Sequence, residues 1–267
     1  MANITTETRA DFQAKVKPVK AKIEEALKKE KDMLLLMKKD SAGIEYKKLL
    51  LCEEMLYVST LYMSINSLSE TILETKNNDA LNDARKMIYK AIIYLEEIVS
   101  DTVDCPYADI APRLEKISNT PLEKRFYLVR KMGLAIQLLV EAFGDNSKWK
   151  WSFVELRGRF AVVAKNLIDM KEGAKSYFDP ASPDHDNTVL YIRLLRKLLD
   201  KSASEYRDRY ELSTRRIDDM RLAINFLIAL RRIAMILGES EESEEIKKKA
   251  VVWKGKMEND TKSGASK

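Results

Sequence analysis

The sequence predicts an all-α fold, and three observations carry that prediction. The chain has 8 Gly and 6 Pro in 267 residues, about half the usual share of each. Its apolar residues recur in steps of three and four, the period of a helix face. From Thr188 to Leu237 it runs fifty residues without Gly or Pro, with Ser182-Pro183 before the run and Gly238 after it. That is the polarity of one helix start and one helix stop. A single helix of that length would be roughly 75 Å long, against about 47 Å for the diameter of a compact globule of this size. The expectation is an elongated multi-helix bundle built from helix hairpins, with one very long C-terminal helix. Residues 1–172 are expected as a helical bundle and 173–187 as a linker. Residues 188–258 should form the long helix plus a short C-terminal helix packing on the bundle, and 259–267 a disordered tail.

In chain order, Phe12, Val16, Val19, Ile23, Leu27, Leu34 and Met37 mark a first helix over 8–39. Pro18 should kink it or mark its true start. The second helix, 44–76, has apolar residues on most of its circumference and is expected to be central. Asn77-Asn78-Asp79 supplies the next turn and cap. The third helix, 80–100, carries the stripe Leu81, Ala84, Ile88, Ala91, Leu95 and Ile98. Residues 101–119 are the least regular part, with room for one short helical turn. Thr120-Pro121-Leu122-Glu123 reads as a capping box opening the fourth helix, which Gly144 stops. The fifth helix has the cleanest pattern: Trp149, Phe153, Leu156, Phe160, Val163, Leu167 and Met170 alternate steps of four and three. Joined by a loop at 144–147, the fourth and fifth helices should pack as an antiparallel hairpin. Ser240 should cap a last helix that is acidic in its first turn and basic later.

Nine of the sixteen arginines lie between Thr188 and Leu237. Such a flank could track a phosphate backbone. Acids share its sector, however, and four local pairs are expected: Arg196 with Asp200, Arg207 with Glu211, Glu211 with Arg215, and Asp218 with Arg221. The favoured reading is a salt-bridged face. The helix is also unusually charged from Asp200 to Asp219, then apolar on two sides from Leu222 to Leu237. A break near Ser213-Thr214, both weak helix formers, competes with one continuous helix.

Composition and motifs exclude much. The net charge of +5 is small against 47 basic and 42 acidic residues, so it permits an anionic partner without demanding one. Cys52 and Cys105 cannot make a disulfide framework and are expected as reduced thiols. The longest uncharged stretch, Met55 to Ser69, is too short and polar to span a bilayer. With no apolar leader in the first residues, a cytoplasmic location is the default expectation. His185 is the one histidine, which rules out a His-based metal cluster within the chain. No Gly-rich phosphate loop, nucleophile elbow or zinc spacing occurs. No catalytic residue, metal or cofactor is assigned, and the protein is read as no enzyme.

The expected function is a non-enzymatic helical scaffold or adaptor, acting through protein-protein contacts and self-association as a homo-oligomer. Its candidate surface comprises Trp151, Arg157, Arg159, Arg193, Arg207, Arg215, Arg216, Phe226 and Ile233. The last two represent the two-sided segment 222–237, which needs neighbours on both faces. The alternative is nucleic-acid or polyanion binding through Arg193, Arg207, Arg215 and Arg216, with Lys148 and Arg157.

Overall fold

Caps and breakers divide the chain into ten α-helices and one π turn, with no strand among the described residues. The computed structural model describes residues 5–144 and 148–265. Residues 145–147 of the loop expected at 144–147 and the last two residues of the expected tail lie outside them. The helices form two compact units, Met1–Ile98 with Tyr127–Trp149, and Val99–Phe126 with Lys150–Lys267.

The first unit begins with α1 (Thr6–Lys39), whose N-cap Thr5 accepts a hydrogen bond from the Thr8 N–H. Pro18 lies inside α1, on its exposed side, and does not mark its start. α2 (Ile44–Leu73) packs against α1 after a left-handed Gly43. It stops three residues short of the expected end because Glu74 turns left-handed, with φ 51°. Asn77 then opens α3 (Asn78–Val99), its side-chain oxygen accepting from the Ala80 N–H at 3.0 Å. Leu81, Ala84, Ile88, Ala91, Leu95 and Ile98 are all buried, as the stripe requires. The buried Glu30 of α1 is held by two groups of α3. Lys90 Nζ donates to it at 2.5 Å, and the Tyr94 hydroxyl donates to its other oxygen.

In the second unit, α4 (Tyr107–Glu115) is the short helical turn expected within 101–119. α5 (Leu122–Phe143) follows, and Gly144 with φ 85° ends it. The Thr120 capping box is not formed. The Thr120 N–H donates to Ile117 O at 2.9 Å, and Arg125 fastens that turn by donating to the carbonyls of Thr120 and Ile117. From Tyr127 onward α5 belongs to the first unit, whereas α6 (Lys150–Asn166) belongs to the second. The α6 heptad positions Phe153, Leu156, Phe160, Val163 and Leu167 are buried, but so are Val154, Ala161, Val162 and Ala164. α6 is therefore enclosed on nearly all sides, and is not a coiled-coil strand with one seam. The segment expected as a linker, 173–187, takes in most of α7 (Met170–Phe178), N-capped by the Asp169 carboxylate on the Lys171 and Glu172 N–H groups.

The very long C-terminal helix does not exist. α8 (His185–Arg209) passes into a π turn at Tyr210–Thr214. Arg215 is left-handed, Arg216 is extended, and α9 (Ile217–Ile236) then begins. Thr214 explains why the chain yields here. Its hydroxyl donates to the Asp219 carboxylate at 2.5 Å and accepts from the Arg216 N–H at 3.2 Å. Asp219 also receives the Arg209 guanidinium, making an ion pair nearly closed to water. A continuous helix would hold Arg209 and Asp219 about 15 Å apart. The break folds α9 back onto α8, so Tyr206 stacks on Phe226 with ring centroids 5.6 Å apart. α10 (Ser240–Ala265) packs on the other side of α9. α9 thus has neighbours on both apolar faces, supplied by its own chain. The last helix is long, and it continues through 259–265, where a disordered tail is expected.

Candidate functional site

The arginines of the second unit are largely spent on acids. Arg207 Nε donates to Glu211 at 3.0 Å, and Arg221 pairs with Asp218 at 3.0 Å, as local spacing predicts. Two other expected pairs are replaced by pairs across helices. Arg196 turns from Asp200 to Glu239, at 2.9 Å, and Glu242. Glu211 takes Lys256 of α10 at 2.7 Å instead of Arg215. Hydrogen bonds from Lys256 and Arg207 hold its carboxyl below the ordinary value, against the opposing effect of burial.

The expected surface residues separate accordingly. Phe226 and Ile233 are 1% and 2% exposed, so neither belongs to a surface of the folded chain. The physical reason is the break at 210–216, which lets α8 and α10 cover both faces of α9. Arg157 pairs with Glu205 at 2.8 Å, and Arg159 is half-buried. Arg207 also lies 5.1 Å over the buried Trp253 ring. Trp151 is half-buried, with Lys150 5.1 Å over its ring and its carbonyl accepting from Arg209. Lys148 sits 5.5 Å over Trp149, which also meets the Arg85 guanidinium at 4.1 Å and the Phe143 ring edge-on at 6.2 Å. Of the expected arginines, Arg193, Arg215 and Arg216 are the ones exposed with no ion pair among the described residues.

A different surface stands out on the first unit. On α5, Tyr127, Leu134 and Leu138 are 46%, 56% and 44% exposed. At 100° per residue they share a sector about 40° wide. On α2, Leu50 and Tyr57 occupy one sector in the same way and are also exposed. Lys131 stands between Tyr127 and Leu134, and Glu53 between Leu50 and Tyr57. These two pair at 3.1 Å, which sets both stripes on one face. Leu50 further borders a groove of about 410 Å³ with Met33 and the exposed Leu36 of α1. Neither stripe is conspicuous in the sequence, because each alternates with the buried residues of its own helix.

The second unit holds a cleft of about 450 Å³ between α4, α6, α7 and α9. Its walls are mainly apolar, including Ile110, Ile168, Met170, Ala229, Ile233 and Ile236. The groups that break that surface include Lys165, Cys105, Lys171 and Arg232. Arg232 is paired with Asp104. Lys165 Nζ donates to Asn166 Oδ1 at 3.0 Å and makes no ion pair among the described residues. Asn166 is itself fixed, because its amide donates to the carbonyls of Ser100 and Thr102 at 3.1 and 3.2 Å. Burial pushes the Lys165 amine below its ordinary value; Asp104 and Cys105 oppose that shift, and Arg232 adds to it. The signal for this site was a lone lysine in the otherwise apolar run from Phe160 to Ile168, broken besides only by Asn166.

Among the described residues, no group of three or more His, Cys, Asp or Glu is placed to hold a metal ion. The ring of His185 meets the Ser176 carbonyl at 2.9 Å. No described helix is long and apolar enough to cross a membrane. No curated protein matches the chain. The sequence profile of the TP0443 family matches residues 8–261, nearly the full length, and the protein belongs to that family.

Proposed function

We propose that this protein is a non-enzymatic helical adaptor that works through protein-protein contact, and that its working surface is the apolar face shared by α2 and α5. The observation that carries this reading is the Lys131–Glu53 ion pair, which aligns two exposed apolar stripes on one face. Single exposed apolar residues are ordinary on a protein surface, whereas exposed stripes on two helices joined by an ion pair favour an interaction site. The first occupant is a second copy of the chain. Tyr127 and Leu138 lie at opposite ends of the α5 stripe, so a twofold axis near its middle would set Tyr127 of each copy over Leu138 of the other. Twofold pairing of one surface with itself is the commonest closed assembly. The proposed interface thus moves from the segment 222–237, whose Phe226 and Ile233 the chain covers itself, to the first unit.

Polyanion binding through the arginine-rich helices draws less support. Arg157 and Arg207 are neutralised locally, and Arg193 lies 22 residues from Arg215 along the chain. The adaptor reading is tested by size-exclusion chromatography with light scattering on Leu50→Glu/Leu134→Glu. The double variant should elute as single chains with its helical circular dichroism intact. A variant with the same mass as the wild-type oligomer would place the contact elsewhere.

A further inference from the structure

We propose that the cleft between α4, α6, α7 and α9 binds a small amphiphilic carboxylate, whose apolar chain lies along Ile168, Ile233 and Ile236 and whose head meets Lys165. The cleft volume of about 450 Å³ falls within the range of small-molecule sites, which are mainly apolar with a few placed polar groups. The charge balance selects the head group. An ammonium in an apolar cleft needs an anionic partner, yet Lys165 hydrogen-bonds to the neutral amide of Asn166, and the Asp104 carboxylate that acts on it is engaged by Arg232. Of the other cations at the cleft, Arg232 is already neutralised by Asp104, and Lys171 is exposed to water. Lys165 is therefore the half-buried cation of the cleft that has no ion pair among the described residues, and a single carboxylate suffices to match it.

The geometry fixes where the head would sit. Asn166 is locked by its bonds to the Ser100 and Thr102 carbonyls, so its oxygen holds Lys165 Nζ in place. One N–H of the ammonium is used there, and two remain for a carboxylate. A cation held in advance loses little freedom on binding, which favours affinity.

The probe is sodium octanoate, with 1-octanol as its neutral counterpart, titrated calorimetrically into the full-length protein. Octanoate should saturate one site per chain at least tenfold more tightly than 1-octanol. Lys165→Met keeps an apolar side chain of similar length; it should weaken octanoate tenfold or more and leave 1-octanol unchanged. Ile236 is exposed at the rim, so Ile236→Asp keeps the fold and should also weaken octanoate by setting a charge against its apolar chain. The proposal is overturned if octanoate shows no saturable binding to the wild type. Equal affinity for octanoate and 1-octanol would overturn it too, as would undiminished octanoate binding in the rim variant or in a folded Lys165→Met.

Discussion

Arg209 and Asp219 face each other across the break between α8 and α9, an ion pair whose side chains are 14% and 6% exposed. The pair is possible only because the chain reverses between them. Removing the carboxylate leaves the guanidinium without its acid in a mostly dry setting. Asp219→Ala should therefore destabilise the protein by about 3–5 kcal/mol in chemical denaturation. A loss below about 1 kcal/mol would show that the π turn forms without this contact.

Gly158 sits in α6 directly beneath Tyr206. A Cβ there would lie 2.4 Å from the ring carbon Cε2, and the ring cannot retreat because it stacks on Phe226. Alanine improves helix propensity by up to about 1 kcal/mol, whereas overpacking costs about 1–3 kcal/mol. The clash should win, so Gly158→Ala should lower the melting temperature. An increase would mean that Tyr206 has room to move.

Phe160 is 2% exposed at the centre of α6. Phe160→Ala should cost about 3–5 kcal/mol of stability in a denaturant titration. A change under half a kcal/mol would contradict the enclosure of α6.

Tyr210 donates to the Asp260 carboxylate of α10 at 2.6 Å. Burial first, and this bond second, push its phenol up to about 12, from about 10 when unfolded. The folded state thus holds the phenolic proton more tightly. That contribution to stability is complete below pH of about 10 and is lost as the pH rises towards the folded value. Stability measured from neutral to strongly alkaline pH should show Tyr210→Phe losing less than the wild type above pH of about 10. Parallel profiles would remove Tyr210 from the alkaline limb.

The all-α class was legible because helical periodicity is a local property; the stripe of α3 is buried where the spacing puts it, as is the fifth-helix stripe from Phe153 to Leu167, though not its ends Trp149 and Met170. Caps were less legible. Asn77 caps α3 as read, but Thr120 does not cap α5, because Ile117 and Arg125 occupy its backbone groups. The break at Thr214 was visible only as a pair of weak helix formers. What decides it is Asp219, five residues on, whose partners are known only after α9 folds back. The candidate surface failed at Phe226 and Ile233 for the same reason: a two-sided apolar helix shows that it needs neighbours, not whether they come from its own chain. The face of α2 and α5 depends on Lys131 meeting Glu53, 78 residues away in the chain, which no local pattern encodes.

The claim that the first unit carries a contact surface is tested most directly by the mass of the wild-type protein in solution. Sedimentation equilibrium across a wide concentration range should give a species of twice the 30.8 kDa chain, dissociating in the Leu50→Glu/Leu134→Glu variant. A wild type that remains a single chain at the highest concentrations would contradict self-association through α2 and α5.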